Sequence, residues 1–174
     1  MNATRVLVAQ HRAIEALFDE VELETRRRPR ASAVSRLAEE LIAHMAAEEA
    51  VFYPAVAQAL GPAPEGDPSG DEHLLLRVEL RRVLETSVSD RTFRERVQVL
   101  RELFERHVAD EERKLFPRVA ASLPDTQLEL LGAEILASRP PVWIVSTEGR
   151  ALVDAGGRWA LRSSVSLPVP PARG

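Results

Sequence analysis

The sequence predicts an all-α protein: an up-down-up-down four-helix bundle followed by a short C-terminal helix and an irregular or small β tail. Apolar residues recur at intervals of three and four along four long segments, which is typical of amphipathic helices. Short connections rich in Pro, Gly or capping residues separate these segments. The segment 44–56 reappears as 107–119, which indicates an internal repeat of one helix pair.

The first helix pair occupies residues 4 to about 60. The first helix is expected from Thr4 to about Arg27, where Pro29 stops it, and Ser32 is expected to cap the second helix, which runs to about Leu60. Pro54 should disturb this second helix without ending it. The predicted buried stripes are Leu7, His11, Ile14, Phe18 and Val21 on the first helix, then Val34, Leu37, Leu41, His44, Glu48 and Phe52 on the second, with Val56 further along.

The second helix pair follows a loop at residues 61–70 that contains three Gly and three Pro. Asp71 or Ser69 is expected to cap the third helix, and Asp90 the fourth, in which Pro117 mirrors Pro54. The predicted stripes are His73, Leu76, Leu80 and Val83, then Val97, Leu100, Phe104, His107, Glu111, Leu115 and Val119.

Two regions are predicted from this pattern: a bundle over residues 1–122 and a C-terminal extension over 123–174 that packs on it. Pro124 to about Ser138 is expected to form the fifth helix. Segments 142–145 and 158–161 resemble short extended segments, and the last residues are expected to be disordered. No function follows from the sequence of the tail.

Composition restricts the classes of function. A formal net charge of −4 disfavours a general nucleic-acid binder, and the Arg-rich stretch 26–30 is interpreted as a solvated loop. The absence of cysteine excludes disulfides, thiolate catalysis and sulfur ligands to a metal. No apolar run is long enough to span a bilayer, and no secretion signal is apparent, so we expect a cytoplasmic protein without a membrane partner.

All four histidines fall on predicted core stripes, one on each helix, and two glutamates join them at His-x-x-x-Glu spacing. One core histidine alone is more often structural than ligating. A buried carboxylate on an apolar stripe, however, costs several kcal/mol unless it is paired or neutralised, and a metal would resolve that cost twice. The candidate metal ligands are His11, His44, Glu48, His73, His107 and Glu111.

The ligand types favour iron, because six nitrogen and oxygen donors are too many for one zinc and suit a pair of iron ions. The same donors also suit manganese or a mixed-metal centre. No histidine has a Glu three residues before it, which disfavours a ferritin-like centre.

Residues 4–122 resemble the hemerythrin-like, or HHE cation-binding, domain family. The resemblance rests on Gln10-His11, Glu72-His73 and the two His-x-x-x-Glu-Glu segments that end in an aromatic residue and Pro. It implies a hemerythrin four-helix bundle with a non-haem di-iron centre. By position, His11 and His44 would bind one iron and His73 and His107 the other, while Glu48 and Glu111 would bridge the two.

One departure from the oxygen-carrying members is a missing second histidine on the third helix, where Ser69 and Arg77 flank His73 at four residues. An additional open metal position favours reaction over reversible carriage of oxygen. Glu49 and Glu112 are interpreted as solvated or capping residues, in preference to the alternative that they hydrogen-bond to the histidine ligands, so replacing Glu49 should leave the iron content nearly unchanged. Tyr53 is interpreted chiefly as core packing.

The favoured function is therefore a di-iron oxidoreductase that reacts with O2, peroxide or NO, in detoxification or in oxidation of a small-molecule substrate. The alternative is a sensor or store of oxygen, iron or NO without turnover. A metal-free scaffold or phosphotransfer bundle is disfavoured because phosphotransfer needs an exposed histidine. Catalytic residues, substrate, electron donor and oligomeric state do not follow from the sequence.

Overall fold

A computed structural model describes residues 1–61 and 68–138, and within these ranges the secondary structure is entirely helical. Two π-helical turns, Glu48–Phe52 and Glu111–Leu115, each join two helices into one longer rod. The α-helices are α1 (Ala3–Leu23), α2 (Arg27–Ala47), α3 (Tyr53–Leu60), α4 (Pro68–Glu85), α5 (Phe93–Asp110), α6 (Phe116–Ser122) and α7 (Asp125–Ala137).

The first two helices meet at a shorter connection than the sequence predicted. Helix α1 starts after Asn2, whose side chain accepts a hydrogen bond from the Arg5 amide, and it ends at Leu23. Helix α2 already begins at Arg27, so the prediction that Ser32 caps it is wrong. Pro29 lies in the first turn of α2, where an α-helix needs no donor from its backbone nitrogen.

The capping predictions for the second helix pair are also wrong. Helix α4 begins at Pro68, which places Ser69 and Asp71 inside the helix. Helix α5 begins at Phe93 after Thr92, while Asp90 accepts hydrogen bonds from the Thr92 amide and hydroxyl in the preceding turn. Side-chain turns of this kind compete with capping and use the same residue types.

The π turns explain how two prolines sit within long helical rods. The Tyr53 amide bonds to the Glu48 carbonyl, and the Phe116 amide to the Glu111 carbonyl, five residues back instead of four. Pro54 and Pro117 follow immediately, at the point where a regular α-helix would bring the ring against the carbonyl four residues earlier. The wider turn accommodates each proline, and its first residue is one of the two candidate glutamate ligands.

The buried side chains form two clusters along the molecule. The larger cluster includes Phe18, Leu41, Leu80 and Phe104 from the long helices. The second cluster joins Leu7, Phe52, Phe116 and Val119 with Leu128 and Ile135 of α7. Helix α7 packs against α1, and a Cβ on Gly132 would lie 2.3 Å from the Met1 carbonyl oxygen, so only glycine permits this approach. Helix α7 is thus part of the core.

The predicted core stripes are confirmed over most of their length. The stripe residues named for the four helices are buried except for Val56 on the second and Leu115 on the fourth, which are half-buried. The up-down-up-down order remains a prediction, and the predicted extended segments lie outside the described residues. No helix in residues 1–61 and 68–138 has the length and apolar character needed to cross a membrane.

Candidate metal centre

The six sequence-predicted ligands come together at the middle of the helical assembly. All six side chains are buried, with exposed fractions between 0% and 4%. The contributing elements are α1, α2, α4, α5 and the first residues of the two π turns. Placing the carboxylates at the start of a π turn keeps them one helical turn from His44 and His107, on the same face.

Glu48 lies between two pairs of imidazoles. Its Oε1 is 3.3 Å from His44 Nε2, and its Oε2 is 3.2 Å from His73 Nε2 and 3.7 Å from His107 Nε2. The ring centroids of His11 and His44 are 4.8 Å apart and those of His73 and His107 are 4.9 Å apart, whereas His107 lies 6.2 Å or more from the first pair. One carboxylate oxygen thus faces each pair.

Glu111 faces both pairs with a single oxygen. Its Oε2 is 3.2 Å from His11 Nε2 and 3.6 Å from His107 Nε2. Its Oε1 accepts a 2.9 Å hydrogen bond from the Tyr53 hydroxyl, which is also 3.4 Å from His73 Nε2. The interpretation of Tyr53 as core packing is therefore incomplete, because its ring packs on Phe52 while its hydroxyl belongs to the centre.

The inward-facing atoms of the cluster lack hydrogen-bond partners. Both Glu48 oxygens, Glu111 Oε2 and the Nε2 atoms of His11, His44 and His107 are buried without one. One ligand atom from each of these five residues lies within 4.8 Å of every other, and His73 stands just outside that group. Unpartnered buried polar atoms are costly, and converging imidazole and carboxylate donors are what a transition-metal ion requires. The cluster can hold a metal.

The outward-facing nitrogen of each imidazole has its own acceptor. Glu112 accepts from His11 Nδ1 at 2.9 Å, and Glu49 accepts from His73 Nδ1 at 2.8 Å. Glu72 lies 3.1 Å from His107 Nδ1, and the Gln10 amide oxygen lies 3.0 Å from His44 Nδ1. Each acceptor fixes the ring tautomer that leaves a lone pair on Nε2, facing the cluster.

The interpretation of Glu49 and Glu112 as solvated or capping residues is therefore wrong. Both are held in place by arginine: Arg77 contacts the two oxygens of Glu49 at 2.6 and 2.7 Å, and Arg12 contacts Glu112 at 2.5 Å. Arg77 lies four residues after His73, at one of the two positions where the family resemblance would place a second histidine. It supports an imidazole indirectly, through Glu49.

Burial and neighbouring charges shift the pKa values of the ionisable groups in the cluster in different directions. Burial lowers the pKa of His44 to about 3, because the charge of Glu48 compensates only in part and the neighbouring imidazoles repel a further positive charge. Burial also lowers the pKa of His107, but the neighbouring carboxylates of Glu48 and Glu72 favour the protonated ring, outweigh burial and raise the pKa to about 10. Burial and the neighbouring Glu48 charge raise the pKa of Glu111 to about 7. In the metal-free chain at pH 7, His107 and part of the Glu111 population therefore carry a proton.

Metal loading should therefore release protons. At pH 7 the metal-free chain keeps a proton on His107 and part of one on Glu111, and a ligating imidazole must be neutral. Against the effect of burial, neighbouring carboxylates also raise the pKa of His11 and His73. We expect at least about one proton per chain to be released on loading, and an apparent affinity that rises with pH by about tenfold per unit for each proton released. Calorimetric titration with Mn²⁺ at pH 7 in two buffers of different ionisation enthalpy counts these protons; a count near zero contradicts the expectation.

Replacing Glu49 with Ala should weaken metal binding, contrary to the sequence-based expectation. The change removes the acceptor from His73 Nδ1 and leaves Arg77 without its carboxylate. Loss of such a partner reduces metal affinity by about 10- to 100-fold. The measurement is the dissociation constant for Mn²⁺, with Glu129→Ala on the exposed face of α7 as control. Equal constants for the two variants would restore the solvated interpretation.

In the sequence, Gln10 and Glu72 indicate the family resemblance but not their role as hydrogen-bond acceptors for histidines. Each directly precedes a histidine, so it lies about 100° around the helix from that ring and reaches the histidine of the neighbouring helix. The pairing crosses between helices, and therefore no spacing within one helix could reveal it.

Comparison with known proteins gives three findings. Residues 2–119 match the hemerythrin HHE cation binding domain. A curated protein from Nostoc sp. named DNA nickase is 28% identical over 144 residues, which cover 82% of this chain but 40% of that protein. A crystal structure of a hemerythrin HHE cation binding domain-containing protein from Mycobacterium kansasii superposes with a TM-score of 0.68 at 24% identity, over 79% of this chain and 84% of that one, which shows a shared fold.

Proposed function

Because the chain belongs to the hemerythrin HHE cation-binding domain family, we propose that it is a non-haem di-iron protein that reacts with O2, peroxide or NO. It acts as an oxidoreductase in detoxification or in oxidation of a small molecule. The observation that carries this proposal is the buried carboxylate of Glu48, with one unpartnered oxygen turned to each of two imidazole pairs.

The ligand assignment follows these pairs. His11 and His44 would hold one ion, His73 and His107 would hold the other, and Glu48 and Glu111 would connect them, in keeping with the two closely spaced ring pairs. The closed up-down-up-down order of a four-helix bundle would place all six donors at one level. Bound iron would supply electron transfer and reaction with oxygen-type ligands.

The chain itself supplies orientation and exclusion of water. Phe116 stacks on the His11 ring at 5.9 Å, and Phe104 meets the His11 and His44 rings edge-on at 6.0 and 6.3 Å. These apolar neighbours keep the surroundings dry, which strengthens electrostatic interactions inside. The Tyr53 hydroxyl donates to Glu111 and holds one orientation of that carboxylate, on the His73 side of the centre.

Similarity to the DNA nickase from Nostoc does not extend this proposal to DNA. The chain spans less than half of that protein, and its net charge of −4 disfavours a nucleic-acid partner. A cytoplasmic location, as expected from the sequence, is part of the proposal.

The test is the visible absorption of the reduced, iron-loaded protein after rapid mixing with air-saturated buffer. Oxidoreductase function predicts a band that appears and decays to a stable oxidised spectrum, with oxygen consumed. A band that persists and disappears on degassing would instead support the sensor or storage alternative. The His44→Ala variant, loaded in the same way, is the control for iron that is bound elsewhere. An unchanged spectrum in wild type would contradict both functions.

A further inference from the structure

The internal repeat makes the outer hydrogen bonds of the centre comparable position by position. Glu112 supports His11 as Glu49 supports His73, and Gln10 supports His44 as Glu72 supports His107. The first set is matched, because both members are carboxylates paired with an arginine. The second set is unmatched: an amide supports His44, and a carboxylate supports His107.

This difference acts on the strength of the two imidazoles as donors. A carboxylate that accepts from Nδ1–H draws the proton toward itself and makes Nε2 more basic, whereas a neutral amide does so only weakly. No basic side chain in the described ranges contacts Glu72, so its charge acts on His107 without the compensation that Arg77 gives Glu49. His107 is consequently the strongest imidazole donor of the four, and His44 the weakest.

Gln10 occupies a place where a carboxylate would fit. It is half-buried on α1, and it lines an open groove of about 570 Å³ between α1, α2 and α7 together with Ala9, Ala13 and Glu40. Glutamine and glutamate have the same shape, and the groove leaves the side chain in reach of water. The amide is therefore not imposed by packing.

We propose that Gln10 makes the two metal positions unequal, so that the His73/His107 position binds first and more tightly and the His11/His44 position fills second. This inference rests on the proposed function, since it requires two positions. Gln10 is a positioning residue: it touches His44, not the ion. The consequence is a chain that holds one ion at low metal supply and gains its second only at higher supply.

The experiment is a titration of the metal-free full chain with Mn²⁺, in which the electron paramagnetic resonance signal of the free ion gives the amount bound. Wild type should bind two ions in two steps separated by about tenfold or more. Gln10→Glu should tighten the second step by about 10- to 100-fold and bring the steps together. Glu72→Gln should weaken the first step to a similar extent.

The order of filling is read from ligand deletions and an exchange. His44→Ala should abolish the weak step and keep the tight one, whereas His107→Ala should abolish the tight step. In the double variant Gln10→Glu/Glu72→Gln the order should reverse, so that His44→Ala now removes the tight step. Gln58→Glu, an exposed change of the same kind on α3, controls for added charge and should change neither step.

Two results are distinguishable failures. A wild-type chain that binds one Mn²⁺ or none overturns the two-position centre and this inference with it. A chain that binds two ions, with steps unmoved by Gln10→Glu and by Glu72→Gln, leaves the proposed function standing and overturns only the inequality. Unchanged helical circular dichroism in each variant shows that the shift reflects metal binding and not unfolding.

Discussion

Under the proposed di-iron function, replacing Glu48 with Ala is expected to reduce bound iron to well below two ions per chain. The change removes a side chain whose two oxygens face different imidazole pairs, and both oxygens are buried without a hydrogen-bond partner. The four imidazoles and the single carboxylate that remain cannot neutralise the charge of two cations in a buried site. The measurement is metal analysis after loading with Fe²⁺ under anaerobic conditions and exhaustive dialysis.

Two matched variants sharpen this result. Glu111→Ala should act in the same direction, because its Oε2 contacts one imidazole of each pair. Glu129→Ala removes an exposed carboxylate on α7 and should retain both irons. Retention of both irons by Glu48→Ala would overturn the bridging assignment.

Ending the chain at Ser122 should lower the free energy of unfolding by about 3–6 kcal/mol, whereas ending it at Ser138 should change it little. The shorter chain lacks α7, whose Leu128 and Ile135 are 1% and 0% exposed against α1 and the α3 and α6 rods. Full burial of such side chains stabilises by about 1.5–3 kcal/mol each, and a typical domain has about 5–15 kcal/mol in total. The measurement is urea unfolding followed by circular dichroism.

A point variant separates the loss of α7 from the effect of truncation. Ile135→Ala in the full chain should lower the free energy of unfolding by about 2–5 kcal/mol. Leu130→Ala, at a side chain that is 71% exposed, should change it little. If the chain ending at Ser122 unfolds at the same urea concentration as the full chain, α7 contributes nothing to the core.

The sequence predicted the inner face of the centre well because helical periodicity reports burial. His11 is flanked by Leu7 and Ile14 on one stripe, and that placement alone brought its ring into the core. The His-x-x-x-Glu spacing placed a carboxylate beside an imidazole on the same helix. These are relations within one helix, which a period of 3.6 residues captures.

The outer face of the centre could not be predicted in the same way. Glu49 lies one residue beyond the stripe, which in a regular α-helix turns it about 100° away from the core and toward solvent. At this position Glu49 accepts a hydrogen bond from His73, which lies on another helix. No pattern within the helix of Glu49 could indicate this pair.

The helix ends and the π turns were missed for local reasons. Ser32, Asp71 and Asp90 are good capping residues, yet helices α2, α4 and α5 begin elsewhere because neighbouring turns and a proline set their starts. Pro54 and Pro117 did announce a disturbance. The sequence could not predict that this disturbance is a widened turn that begins at a candidate ligand. A kink or a break in the helix has the same sequence signature.

The hydrogen bonds between histidines of one half and glutamates of the other suggest how such a chain could have arisen. The first half lends Glu49 to the second, and the second lends Glu112 to the first, which is the reciprocal pattern of a twofold homodimer. When the two copies are joined in one polypeptide, their association no longer depends on protein concentration. It also releases a constraint that identical subunits can never escape: Gln10 and Glu72, or Tyr53 and Phe116, can diverge, and a symmetric ancestor can become a centre with two different sides.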